Sequence, residues 1–113
     1  MVRLQQKVWW AMSVLVPPTE FVTEAKVTEY ALGKKCLTLK LNVIGRVGWP
    51  DRIYMYHGKI IFVEFKRAGQ KPRRIQDHVI GTIRSHGFRV YVVDNYEQGC
   101  TAIDQLTEGG PQL

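Results

Sequence analysis

Cysteine is scarce in this chain. Cys36 and Cys100 are the only two, far apart and without a CxxC or Cys/His spacing around either. A disulfide framework and a structural zinc site are thereby disfavoured, and a reducing, intracellular setting is expected. His57, His78 and His86 form no triad or zinc pattern with serine, aspartate or cysteine, so they read as structural or exposed. Repeats, low-complexity tracts and Gly/Ser linkers are missing as well. No apolar run is long enough to span a bilayer. Val8 to Val16 follows Arg3 and Lys7 in the manner of a signal peptide, but it ends in Pro17-Pro18 with no small-residue cleavage site. The expectation is an ordered arm, with Trp9-Trp10 packed on the domain or on a second copy of it.

Acid is outnumbered. Sixteen lysines and arginines against ten carboxylates leave a formal charge of +6, which points to polyanions, nucleic acid first and acidic membrane second. Placement favours nucleic acid, because Lys66, Arg67, Lys71, Arg73 and Arg74 fall in one acid-free stretch. With 113 residues of ordinary globular composition, one domain is expected, with its own core and no need of staples. The organisation reads as a single domain over 1–113: an N-terminal arm at 1–18, a catalytic core at 19–95, and a C-terminal helix and tail at 96–113.

Thr19 reads as the N-cap of a helix whose first turn holds Glu20 and which runs to Leu32, stopped by Gly33. Val22, Ala25, Val27, Tyr30 and Ala31 are its core-facing candidates. Cys36 to Val43 alternates with strand periodicity. After a turn-rich stretch from Gly45 to Pro50, Arg52 to Tyr56 and Lys59 to Lys66 read as strands joined at His57-Gly58. Ile60 to Val63 is apolar on both faces, as in a central strand. Pro72 opens a helix to about His86, with Ile75, Val79 and Ile83 on one face and Gly87 past its end. Phe88 to Val93 is another strand, and Thr101 to Leu106 a short last helix. The order α-β-β-β-α-β-α predicts an α/β fold with a mixed central sheet flanked by helices.

The hairpin carries the chemistry. If His57 and Gly58 are its turn, Tyr56 pairs with Lys59 and Asp51 falls opposite Glu64. Directly opposed residues hold their Cβ atoms about 4.5–5.5 Å apart. Lys66, two residues beyond Glu64, leaves the same face. Two opposed carboxylates repel, and a hard divalent cation with oxygen ligands would reverse that. The competing interpretation is a Glu64–Lys66 salt bridge with Asp51 as a bystander at a turn, and a one-residue slip in register would produce it.

The surrounding residues read Gly48-Trp49-Pro50-Asp51-Arg52, then Val63-Glu64-Phe65-Lys66. This pattern resembles the PD-(D/E)XK nucleases, and more closely their virus-type replication-repair nuclease (VRR-NUC) family. There, a Gly-x-Pro-Asp-Arg turn precedes an apolar strand ending Val-Glu-x-Lys, a basic loop, and Pro-x-x-x-Gln at the start of a helix. Pro72 and Gln76 supply the last pair, and the resemblance runs over roughly Thr19 to Asn95. It implies that Asp51 and Glu64, with the Phe65 carbonyl, hold Mg²⁺ (or Mn²⁺ in its place), and that Lys66 orients or activates the attacking water or stabilises the phosphate. It also implies a glutamate on the first helix. Glu20 and Glu24 both qualify, four apart on one face. Glu24 is preferred because Glu-x-x-Val ahead of Tyr30 reads more like that helix. Gln76 would point at the metal or the scissile phosphate.

Lys40, Arg46, Arg52, Arg67, Lys71, Arg73 and Arg74 become candidates for a DNA-backbone track, which gives affinity without base specificity. The activity implied is Mg²⁺-dependent endonucleolytic cleavage of DNA. Short standalone members resemble phage-type enzymes related to Holliday-junction resolvases, which implies branched DNA as substrate, a homodimer, no membrane, and the host cytoplasm as the setting. A basic binding module with a degenerate site and a sequence-specific restriction-type nuclease are the alternatives.

Overall fold

The computed structural model describes residues 19–108; the readings made for the arm at 1–18 and for the tail beyond 108 lie outside the described residues. Thr19 caps α1 (Glu20–Gly33), its Oγ1 accepting the Val22 N–H at 3.3 Å, and Glu20 sets a carboxylate in the positive first turn. Then follow β1 (Leu37–Lys40), β2 (Arg52–Tyr56), β3 (Lys59–Phe65), α2 (Arg74–Ser85), β4 (Arg89–Val93) and α3 (Tyr96–Glu108). The sheet order is β1-β2-β3-β4. The first two pairings are antiparallel, and β3 pairs with β4 in parallel, with α2 as the crossover that a parallel pair requires. This is the mixed, helix-flanked α/β architecture that the order of elements predicts.

His57 and Gly58 both adopt positive φ, 45° and 81°, which suits a two-residue hairpin turn whose twist matches its strands. Tyr56 therefore pairs with Lys59, and the ladder continues to Arg52 opposite Val63. Alternation along β3 then divides the core in two. Ile61, Val63 and Phe65 face α1 and α3, where Val27, Ala31, Tyr54, Ile103 and Leu106 complete the larger cluster. On the other side, Ile80 and Ile83 of α2 pack with Val90 against Phe62, Val92 and Trp49.

Three details depart from the sequence reading. β1 stops at Lys40, and its leucines do not lie inside: Leu37 and Leu39 are 68% and 56% exposed while Cys36 is buried. The reason is coverage, since α1 packs on the opposite face of β1 and α2 lies over β4. α2 begins at Arg74, so its buried face is Gln76, Ile80 and Ile83, and Ile75 lies over Gly48 instead. α3 starts at Tyr96, five residues earlier than expected, because Asn95 Oδ1 accepts the Gln98 N–H at 2.9 Å and Gln98 Oε1 accepts the Asp94 N–H at 2.9 Å, a reciprocal N-terminal cap.

Candidate active site

One step beyond the Arg52–Val63 pair, the hairpin register brings Asp51 to Glu64. Asp51 precedes β2, yet it stays tied to both neighbouring strands. Its Oδ2 accepts the Phe65 N–H at 2.8 Å, and its carbonyl accepts the Leu41 N–H at 2.8 Å. The Asp51 carboxylate thus continues the β2–β3 ladder past its last backbone pair. Lys66 closes the other flank, its N–H held by the Val93 carbonyl at 2.8 Å.

Glu64 is 3% exposed. Its Oε2 accepts from Gln76 Nε2 at 2.9 Å and lies 3.0 Å from Lys66 Nζ, while Oε1 is buried with no hydrogen-bond partner among the described residues. Burial pushes the Glu64 carboxyl above the usual range, and the Asp51 charge adds to the rise; Lys66 opposes both. Gln76 is itself anchored, because its Oε1 accepts the Arg73 N–H at 2.9 Å. That bond fixes which end of the amide faces Glu64.

Of the two helix-1 glutamates, Glu24 is not brought to this cluster. It lies on the α1 side of the sheet, where both its oxygens accept from Lys40 Nζ and Oε2 also accepts from Arg52 Nε, all at 2.7 Å. Arg52 follows Asp51 directly and so points to the opposite face, taking Glu24 with it. Lys40 and Arg52, two of the candidate DNA contacts, are thereby committed to an internal carboxylate. Glu20, a turn earlier, lies beside the segment that follows β3. Its Oε2 is ion-paired with Arg67 Nε at 3.4 Å and makes no hydrogen bond among the described residues. Both glutamates share one helical stripe, so spacing alone could not separate them.

The remaining cations cluster at this end. Arg67 and Lys71 leave the end of β3, Arg73 and Arg74 open α2, and Arg46 lies in the loop that carries Gly48 onto α2; all five are exposed. That loop contact escaped the sequence reading. Gly48 has φ +88°, and a Cβ there would lie 2.9 Å from the Ile75 carbonyl oxygen. Loop and helix therefore approach backbone to backbone just before Asp51, and the Gly-x-Pro-Asp signature is the signal that could have revealed it.

Among the described residues no three His, Cys, Asp or Glu side chains gather as a ready metal cluster. The Asp51–Glu64 pair nonetheless fits a hard divalent cation. It offers oxygen donors only, it is electrostatically strained as it stands, and Glu64 Oε1 is a buried acceptor with no hydrogen-bond partner among the described residues.

Fold and site together define a nuclease-type α/β domain. Within that class the chain is similar to VRR-NUC domains. One solved structure described as a VRR_NUC domain is 29% identical, with a TM-score of 0.68 over 82% of this chain and 99% of its own. Another, described as a VRR_NUC domain protein, is 17% identical, with a TM-score of 0.71 over 85% of this chain and 93% of its own. No protein-family model matches the chain. No curated protein matches it either.

Proposed function

We propose that the protein is a divalent-metal-dependent endonuclease acting on DNA, with branched DNA preferred. The observation that carries this reading is the buried Oε1 of Glu64 beside Asp51, without a hydrogen-bond partner among the described residues, with Lys66 on the same carboxylate. Asp51 and Glu64, with the Phe65 carbonyl, would hold Mg²⁺ or Mn²⁺, which supplies an activated water and neutralises charge on the phosphate. Glu20, whose carboxylate pairs with Arg67 just past β3 while Glu24 is held by Lys40 and Arg52, would be the helix-1 carboxylate that joins them. Lys66 would steer the water or the phosphoryl oxygens once a cation occupies Glu64. Arg46, Arg67, Lys71, Arg73 and Arg74 would grip the sugar-phosphate backbone, with Lys40 and Arg52 serving the Glu24 network instead. The preference for branched DNA and a homodimeric assembly in a phage-infected cytoplasm rest on the family resemblance. Two active sites related by a two-fold axis suit a symmetric junction. Among the described residues no helix is long and apolar enough to cross a membrane.

The test is cleavage of end-labelled four-way junction, flap, single-stranded and linear duplex DNA with Mg²⁺, Mn²⁺ or EDTA, alongside Glu64→Ala. Metal-dependent cutting of branched DNA, lost in the variant, is the expected result. Tight binding with no cutting under any metal would leave a basic binding module, and cutting of linear duplex at one sequence would favour a restriction-type enzyme.

A further inference from the structure

Glu64 is held unevenly. Gln76 Nε2, at 2.9 Å, and Lys66 Nζ, at 3.0 Å, both lie on Oε2, whereas Oε1 has no hydrogen-bond partner among the described residues. An ionised carboxylate offers roughly two acceptor positions on each oxygen, so Gln76 and Lys66 together fill those of Oε2. Neither donor is loosely placed. Gln76 is buried and the Lys66 side chain nearly so, and the Arg73 N–H fixes the amide by donating to Gln76 Oε1 at 2.9 Å. Pulling Gln76 away from Oε2 would strand a buried N–H group, which is costly. Asp51 is tied on one side as well, its Oδ2 accepting the Phe65 N–H at 2.8 Å.

Resting on the reading of Asp51 and Glu64 as a metal site, we infer that Gln76 and Lys66 make Glu64 a one-oxygen ligand through Oε1, and that the site thereby selects Mg²⁺ or Mn²⁺ against Ca²⁺. Mg²⁺ is small, demands near-octahedral geometry and keeps several waters, so single oxygens from two carboxylates meet its need. Mn²⁺ accepts the same octahedral oxygen set. Ca²⁺ is larger, gathers about six to eight oxygens and often chelates a carboxylate through both of its own. At Glu64 the second oxygen is already spoken for. The selectivity therefore lies in how the carboxylate is held, because the same charges left unheld could chelate either ion. Gln76 becomes a specificity-determining residue that need not touch the metal.

The test is isothermal titration calorimetry of the full chain, without DNA, against Mn²⁺ and Ca²⁺ in separate runs. Mn²⁺ should bind roughly tenfold more tightly than Ca²⁺ or better. Gln76→Leu keeps the bulk and removes the donor, and should lower that ratio roughly fivefold by weakening Mn²⁺ while sparing Ca²⁺. Arg73→Pro reaches the same bond by a second route should the leucine variant fail to fold. The backbone φ at Arg73 is −69°, which proline adopts, and the change removes the N–H that orients Gln76. It should shift the ratio in the same direction, whereas Arg73→Ala, which keeps that N–H, should not. Equal affinity of the wild-type chain for the two ions would overturn the inference. So would equal weakening of both by Gln76→Leu, or a ratio moved as far by Arg73→Ala as by Arg73→Pro. Each of those results leaves the metal site standing, but binding of neither ion by the wild-type chain would overturn the metal-site reading itself.

Discussion

Gln76 spans two bonds of 2.9 Å, its Nε2 donating to Glu64 Oε2 and its Oε1 accepting from the Arg73 N–H. The first turn of α2 thereby sets the orientation of the buried carboxylate on β3. Gln76 acts as a positioning residue. Substituting Gln76→Ala should weaken Mn²⁺ binding and lower cleavage by roughly 10–100-fold, as loss of an outer-shell partner typically does. Gln76→Glu should be worse, because it sets a third carboxylate against Glu64. The check is a metal titration: a role confined to folding would lower the melting temperature and leave the Mn²⁺ midpoint where it was.

Glu24 and Glu20 should separate under the same chemical change. Glu24→Gln removes the charge that holds Lys40 and Arg52. Because Lys40 is half exposed and Arg52 one-fifth exposed, the cost should be modest, about 1–2 kcal/mol in urea unfolding. Cleavage per folded molecule should hardly change. Glu20→Gln should leave stability within about 0.5 kcal/mol, as for exposed pairs, and reduce cleavage. The opposite pattern would return the helix-1 ligand to Glu24.

These two glutamates also mark where the sequence stops being legible. The hairpin register follows from taking His57-Gly58 as the turn, while Ile60 to Val63, apolar on both faces, does not by itself forbid a one-residue slip. Asp51 opposite Glu64 follows from that register alone. Which face of a strand is covered is a different matter. Leu37 and Leu39 alternate correctly yet lie outward, because burial depends on where α1 and α2 cross the sheet. Likewise Glu20 and Glu24 differ by one helical turn, and only the position of the α1 N-terminus over the strand ends divides them. Periodicity alone shows only the Thr101–Leu106 part of α3, because Gly99 weakens the helical pattern, although Asn95 and Gln98, which cap it, stand in the sequence.

Two glycines should respond differently to alanine. At Gly99 an added Cβ would overlap Val27 Cγ2, so Gly99→Ala should force α1 and α3 apart at a cost of ~1–3 kcal/mol, despite the gain in helix propensity. Gly48→Ala meets the Ile75 carbonyl and a left-handed backbone together, and should cost a similar ~1–3 kcal/mol. Only Gly48 joins the loop before Asp51 to α2. Gly48→Ala should therefore also depress cleavage per folded molecule, and Gly99→Ala should not. Chemical denaturation and single-turnover cleavage on the same preparations distinguish the two.

Alkaline pH should unfold the domain through Tyr54. The residue is fully buried, its hydroxyl 2.8 Å from Thr28 Oγ1, and burial pushes the phenol up from 10.0 to about 12. The folded state thus favours the protonated phenol more than the unfolded chain does. Its contribution is intact below the unfolded value of 10.0 and declines as pH rises through about 12. That interval corresponds to on the order of 2–3 kcal/mol. Tyr54→Phe should lose about 1 kcal/mol at neutral pH with the Thr28 bond, and in exchange should show a shallower fall in stability between pH 10 and 12. Urea midpoints followed by circular dichroism at stepped pH measure both effects. Parallel declines in the two proteins would assign the alkaline transition to groups other than Tyr54.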